Sequence, residues 1–406
     1  MNKKKYSRRK LMRSVQTVSL VCLLAALAVV VSLRTREVTP PAADPLSPPG
    51  ESVFRPAPVA VAEATPTPPP TPTPEPTPVP DPEFYTLSLI GDCSLAEDKS
   101  KRGWGTAYQS VVGDDYAYPF KNTKHIFEDD YMTLANLECT LTDNWYDTIE
   151  WFGFLAPAAY VNILTEGNVD FVTLANNHTM DYGANAYGDM IRALDSVNMA
   201  YAGENETYIF QRDDGLIVGV YCLYNEKQPT KALLDAGLKK LRDGGAQLTI
   251  AALHWGVEGA YSVSELQTEM GHYAIDAGFN VVYGSHPHRL EPVEKYNGGV
   301  IFYSMANWSF GGHTNPDDYD TAIAQFTVKL VGDDVSIESI NMIPCSISSS
   351  HHNHPGHSVN DNCLNDYCPT PYEEGSEDWD RVMSKLNGTY EGADYTANYQ
   401  SIIYGT

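Results

Sequence analysis

Apolar residues fall along this chain in short runs that alternate with stretches of helical spacing. Six runs, YTLSLI (85–90), VDFVTLA (169–175), LIVGVYCLY (216–224), QLTIAAL (247–253), FNVVYG (279–284) and GVIFYS (299–304), are rich in β-branched and aromatic residues and bounded by turn formers, which predicts buried strands. Between them LAPAAYVNILTEG, ANAYGDMIRALDSV, KALLDAGLKKLRDGG and SELQTEMGHYAIDAG carry helix patterns. In the third of these Leu234, Leu238 and Leu241 share one face. In the fourth, Ser264 and Gln267 have the spacing of a capping box. The alternation predicts an α/β architecture. DTAIAQFTVKL and DVSIESINMI, near residues 320–343, follow one another without a helix, so part of the sheet is expected to be antiparallel.

The N-terminus follows a different pattern. Twenty uncharged residues lie between Arg13 and Arg34, and at about 1.5 Å per helical residue they span roughly 30 Å, one bilayer core. Seven basic residues precede them, so the positive-inside rule leaves the N-terminus in the cytoplasm and the rest outside. A cleaved signal peptide would have a shorter apolar core ending in small residues, where Val31-Ser32-Leu33-Arg34 stands. The expectation is an uncleaved anchor. After it, ATPTPPPTPTPEPTPVPDP cannot form helix or sheet, because proline lacks the donor and fixes φ, and is expected to be an extended spacer. The organisation expected is a basic cytoplasmic tail (1–13), a transmembrane anchor (14–33), a Pro/Thr-rich linker (34–83) and an extracellular body (84–406), in a single-pass protein of the cell membrane.

Charge narrows the choice of partner. The chain has 27 Lys plus Arg and 52 Asp plus Glu; the first 36 residues hold nine of the basic residues and none of the acidic ones, so the remainder is 18 basic against 52 acidic, a net of −34. Such a body repels nucleic acid, and no basic patch with interleaved aromatics offsets this.

The residues at the ends of the runs then form a set. Asp92 follows the first run, Asn136 and Glu138 follow DDYMTLA, Asn177 and His178 follow VDFVTLA, His254 follows LTIAAL, and His286 and His288 follow FNVVYG. In α/β sheets the strand ends on one side are where ligands bind. One such residue is usually a cap or turn former, but five runs that all end in carboxylate, carboxamide or imidazole point to one shared crevice. That donor mixture suits divalent Mn, Zn or Fe, and two clusters suit two ions.

The motifs LIGDCSL, TLANLECTLTD, FVTLANNHTMDYG, AALHWGVEGAYS and AGFNVVYGSHPHRLEPVEKYNGGVIFYSMANWSF, covering about 86–310, resemble in order those of the CapA family of bacterial capsule and poly-γ-glutamate synthesis proteins. That family is in turn similar to calcineurin-like metallophosphoesterases. The resemblance implies a four-layer α-β-β-α sandwich of two mixed sheets. It implies that Asp92 and His288 serve one metal, that Asn177, His254 and His286 serve a second, that Glu138 bridges them, and that His178 is the catalytic histidine. It implies partners as well: an envelope polymer such as poly-γ-glutamate, and synthase or export subunits in the membrane. One position departs from the pattern, since Ser94 stands where the phosphoesterases carry a metal-binding histidine. Asn136, Trp255 and Glu258, beside the motifs, are candidate substrate contacts.

Two features lie outside that scheme. His351, His352, His354 and His357 cluster in a Ser- and Asn-rich loop, either as an accessory metal site or as solvated surface. An oxidising exterior permits a disulfide among Cys345, Cys363 and Cys368, whose spacing selects no pair, whereas Cys93, Cys139 and Cys222 read as buried thiols. Three functions are compatible with the sequence: a metal-dependent hydrolase of an envelope polymer, a non-catalytic binding subunit of a synthesis or export machine, and a simple envelope binding module.

Overall fold

Strands form where apolar residues face cover on both sides, and the clearest case is the run VGVYCL. Val218, Val220 and Cys222 enter one apolar cluster while Tyr221 and Leu223, pointing the other way, enter another. The structure is a computed structural model that describes residues 80–393, apart from 149–151, 214, 225–228 and 351–364. The anchor, nearly all of the linker, the histidines from His351 to His357 and Cys363 lie outside the described residues. Among the described residues no helix is long and apolar enough to cross a membrane.

In chain order the elements are β1 (Glu83–Ser94), α1 (Tyr108–Val112), α2 (Lys124–Phe127), β2 (Met132–Leu137), β3 (Thr140–Leu141), β4 (Leu155–Ala156), α3 (Val161–Glu166), β5 (Phe171–Thr173), α4 (Gly183–Ser196) and β6 (Ala200–Ala202). There follow β7 (Glu206–Phe210), β8 (Val218–Leu223), α5 (Lys231–Asp243), β9 (Leu248–His254), α6 (Glu265–Ala277), β10 (Val281–Ser285), β11 (Val293–Tyr296) and β12 (Gly299–Phe302). The last are β13 (Asn307–Phe310), β14 (Asp320–Val331), β15 (Asp334–Ser346), β16 (Thr370–Pro371) and α7 (Glu377–Leu386). The first sheet has the order β16-β15-β14-β1-β2-β5-β6, with β13 also paired to β1, and the second β11-β12-β10-β9-β8-β7.

Both sheets are mixed, as an α/β chain with a late antiparallel hairpin was expected to be. In the first, β13, β1, β2, β5 and β6 run parallel while β14, β15 and β16 are antiparallel additions. In the second, the parallel strands β12, β10, β9 and β8 are closed at the edges by antiparallel β11 and β7. One apolar cluster joins Leu87, Leu89, Met132 and Phe171 of the first sheet to Val218, Ile250, Val281 and Phe302 of the second. A second cluster takes Ile90 and Val172 with Met190 and Leu194 of α4, and a third takes Ala251 and Val282 with Leu234, Leu238 and Leu241 of α5 and Met270 of α6. The capping box expected at α6 is present, with Ser264 and Gln267 each bonding the other's backbone N–H.

Candidate functional site

The parallel strands deliver the site. Asp92 near the end of β1 is in register with Asn136 of β2 on one side and Asn307 of β13 on the other, and Ser285 at the end of β10 is in register with His254 of β9. The first sheet thus presents Asp92, Asn136, Glu138 and the turn Asn176–His178, and the second presents His254, His286 and His288. β1 can lie this close to the β13 entry only because Gly91 has no side chain: a Cβ there would stand 2.2 Å from the carbonyl oxygen of Ala306. The His-Pro-His turn is strained, with His286 at φ 101° and His288 at φ 55°, a region that side-chain-bearing residues rarely occupy.

Two groups of donors result. In the first, Asn136 Nδ2 donates to Asp92 Oδ1 at 2.9 Å and to Glu138 Oε2 at 3.2 Å. His288 Nδ1 lies 3.3 Å from Asp92 Oδ2 and 2.9 Å from Asn307 Oδ1. In the second, His254 Nε2 lies 2.7 Å from Asn177 Oδ1, 3.1 Å from His286 Nδ1 and 3.7 Å from Glu138 Oε1. Glu138 stands between the groups, its Oε1 also 3.9 Å from His288 Nε2. That oxygen is buried and has no hydrogen-bond partner among the described residues. Ligand atoms of Asp92, Glu138 and His254 all lie within 4.8 Å of one another.

A buried carboxylate oxygen without a donor, faced by imidazole nitrogens and a carboxamide oxygen, is the arrangement a divalent cation would satisfy, so the residues present fit such an ion. The electrostatics agree with a set built around missing positive charge. Burial, and then the neighbouring Asp92, push the Glu138 carboxyl upward. Burial, and then His286 and His288, hold His254 well below the usual imidazole range, which keeps its ring neutral. His286 is lowered by burial and by His288. For His288 burial acts downward, but Glu138 and Asp92 outweigh it and carry the ring up to about 9.

His178 stands apart from these donors, in the wall of a cleft of about 880 Å³ that opens over the site. Its Nδ1 lies 2.9 Å from Asp181 Oδ2, and its ring meets Phe154 edge-on at 4.6 Å. Burial lowers its affinity for a proton, and the Asp181 and Glu138 carboxylates more than offset this. The cleft is otherwise walled by Phe152, Phe154, Phe310, Tyr187, Tyr224 and Glu258, and His288 reaches its floor.

Asp92, Glu138, Asn177, His254, His286 and His288 are therefore brought together, and Glu258 lines the same cleft. Two expected substrate contacts are not where the sequence suggested. Trp255 is 2% exposed, stacks on Tyr303 and donates through Nε1 to the Tyr303 carbonyl at 2.9 Å, because the residue after a strand-end ligand points to the opposite face. Asn136 is wholly buried and both its amide hydrogens and its oxygen are engaged, the latter by Asn176 Nδ2 at 3.0 Å, so it braces the carboxylates instead of touching a substrate. Ser94 donates to the Ala96 carbonyl at 3.2 Å. Cys345 and Cys368, both open to a disulfide from the sequence, are free buried thiols, as are Cys93, Cys139 and Cys222.

Sequence reasoning missed Asn176, Asp181, Asn307 and Ser285. Asn176 orders the turn before His178, accepting from the His178 N–H at 3.1 Å and from the Thr179 hydroxyl at 2.8 Å. Ser285 Oγ lies 2.8 Å from His254 Nδ1 and orients that ring. The signal available for Asp181 was its place three residues after His178; for Asn307 it was its place in a strand-like run, MANWSF.

The family model described as "Bacterial capsule synthesis protein PGA_cap" matches residues 86–311. Among known proteins, the chain is 28% identical over 296 residues to "Capsule biosynthesis protein CapA" of Bacillus anthracis, a match covering 65% of this chain and 68% of that one. It is 29% identical over 193 residues to "PGA biosynthesis protein CapA" of Bacillus subtilis (strain 168), covering 42% of this chain and 50%, half, of the relative. Among solved structures, a protein described as a novel phosphatase from Mycoplasma pneumoniae aligns with a TM-score of 0.41 and 10% identity, over 64% of this chain and 93% of that one.

Proposed function

Because the chain belongs to the bacterial capsule synthesis protein PGA_cap family, we propose that it is a membrane-anchored extracellular component of capsule or poly-γ-glutamate synthesis whose cleft binds divalent metal and hydrolyses a bond in an envelope polymer. On this reading residues 14–33 are the anchor, 34–83 the spacer and 84–406 the working body, a four-layer sandwich of calcineurin-like kind. Asn177, His254, His286 and Glu138 would hold one ion, and Asp92, His288 and Glu138 a second, weaker one, because Ser94 brings no imidazole. Mn, Zn and Fe all suit these donors.

The observation that carries the reading is the orphaned Oε1 of Glu138, buried and faced at 3.7 and 3.9 Å by His254 and His288. Bound ions would lower the pKa of a water and stabilise charge on an attacked phosphoryl or acyl oxygen. The chain's own residues would do the rest. His178, held by Asp181, is placed to give a proton to a leaving oxygen or nitrogen. Phe152, Phe154 and Phe310 would give one side of the cleft an apolar wall, and Glu258 would face a bound substrate. Asn136 keeps the Asp92 and Glu138 carboxylates together without adding charge.

A second reading, a polymer-binding subunit without chemistry, is favoured by the engagement of Ser94 with Ala96. The test is elemental analysis of the full-length chain with and without His286→Ala/His288→Ala, followed by assay of phosphodiester and amide probes against His178→Ala. Metal retained by wild type and lost in the double variant, with turnover lost in His178→Ala, supports hydrolysis. Metal without turnover favours the binding subunit, and a chain that takes up neither Mn nor Zn removes both the metal and the hydrolase.

A further inference from the structure

Past residue 311, where the family match ends, the chain builds an ion cluster in its interior. Lys385 in the last turn of α7 is 1% exposed. Its ammonium donates to Asp318 Oδ1 and Oδ2 at 3.0 and 2.8 Å and to Asp320 Oδ2 at 2.7 Å, which uses all three of its hydrogens. Arg381, one turn earlier, grips Asp320 with Nε and Nη2, both at 2.8 Å. Val382, Met383 and Leu386 of the same helix join the apolar cluster between the sheets. A buried ion cluster adds little stability over apolar packing, and its clearest effect is to fix geometry.

What it fixes here is the cleft, because Asp318 touches or adjoins three of its segments. It closes the loop that begins with the cleft residues Gly312 and His313. Its Oδ2 accepts from the Tyr261 hydroxyl at 2.9 Å, and Tyr261 follows Glu258. The same oxygen lies 4.0 Å from Arg289 Nε; Arg289 also pairs with Asp317, and its Nη1 donates to the His288 carbonyl at 3.3 Å. Its guanidinium lies over the Tyr261 ring, 5.6 Å from the centroid. The Glu258 loop and the His-Pro-His turn are joined directly as well, the Gly259 N–H donating to the Pro287 carbonyl at 2.8 Å.

We propose that Asp318, held in place by Lys385, is the positioning residue of the cleft: through Arg289 it sets the turn carrying His286 and His288, and through Tyr261 the loop carrying Glu258. Its metal consequence rests on the reading of His288 as a ligand; its geometric consequence does not. Supporting partners of metal ligands typically change affinity 10- to 100-fold when removed.

The experiment compares full-length wild type, Asp318→Asn and Asp318→Asn/Lys385→Met. Two quantities are read: Mn2+ affinity by calorimetry, and the ring C–H NMR signals of His288 in chelator, assigned with His288→Ala. The Asn variants are expected to move the His288 signals and to weaken Mn2+ binding at least tenfold. Removing both charges in the double variant keeps a lone buried charge from unfolding the chain, and Arg289→Gln cuts the same link should Asp318 prove indispensable to folding. Unmoved His288 signals in the folded variants overturn the proposal. A wild type that takes up no Mn2+, with His288 signals that still move in the variants, sinks the metal reading and leaves the positioning role standing.

Discussion

Glu138→Gln is the perturbation with the sharpest consequence. Glu138 is wholly buried; its Oε2 has one donor, Asn136 Nδ2 at 3.2 Å, and its Oε1 has none among the described residues. The upward push on its carboxyl, from burial first and Asp92 second, says that the charged form is held at a net cost even with His288 nearby. A buried acceptor left unpaired costs about 1–3 kcal/mol. The amide has the same shape, keeps an oxygen for Asn136 and leaves no charge to bury. In chelator the variant is therefore expected to be more stable than wild type by about 1–3 kcal/mol, which at about 2 °C per kcal/mol raises the unfolding temperature by about 2–6 °C. Added Mn2+ reverses the ranking of gains. At a hundred times its dissociation constant a ligand stabilises by about 2.7 kcal/mol, a gain expected in wild type and absent in the variant. Calorimetric scans in chelator and in Mn2+ measure both arms. A variant less stable than wild type in chelator, or one that keeps the Mn2+ gain, would refute the account of Glu138 as a carboxylate waiting for a cation.

Three further outcomes follow from the geometry. Glu291 is wholly buried, its Oε2 accepting from Gln267 at 2.6 Å, and burial holds its carboxyl well above the usual range; the folded chain keeps a proton that the unfolded chain loses, so stability falls as pH rises above the ordinary carboxylate range, at about 1.4 kcal/mol per unit. Glu291→Gln removes that slope, so its advantage over wild type should widen as pH rises above the ordinary carboxylate range, and a constant gap in unfolding temperature would count against it. At His286, φ 101° suits glycine, so in chelator His286→Gly should be more stable than His286→Ala by about 1 kcal/mol, the reverse of the usual order, as chemical denaturation would show. A Cβ on Gly284 would stand 1.9 Å from the Tyr303 carbonyl oxygen, so Gly284→Ala should cost about 3 kcal/mol or more, read as a shifted denaturation midpoint; wild-type stability would mean that β10 and the chain at Tyr303 are free to separate.

The central strands were legible because they are covered on both sides and therefore read as near-unbroken apolar runs, as Leu216–Tyr224 and Leu248–Leu253 do. The edge strand β7 was not, because none of its residues is fully covered and they include Glu206 and Thr207. Helix α7 was missed for another reason: its inward face includes Lys385, a residue that sequence patterns assign to solvent and that only Asp318 and Asp320, more than sixty positions earlier, make tolerable inside. At the site, residue type at strand ends was enough to name six donors that the fold then gathers. Residue type could not say which neighbours share their face. Trp255 follows His254 and points away, whereas Asn136 precedes Glu138 by two, shares its face, and sits one pleat too deep to meet a substrate. Asn307 escaped notice because β13 reaches β1 across more than two hundred residues of chain.

The site's division between the two sheets also sets an order of events. Asp92, Glu138 and Asn177 come from one sheet, and His254, His286 and His288 from the other. Each proposed ion would draw its donors from both halves, so capture with the full donor set would wait until the halves have docked. An ion bound there would therefore act as a late latch: its presence should leave the rate of arrival at the native state nearly untouched and slow the rate of departure. The lifetime of the folded chain would then be governed by how long the latch stays shut.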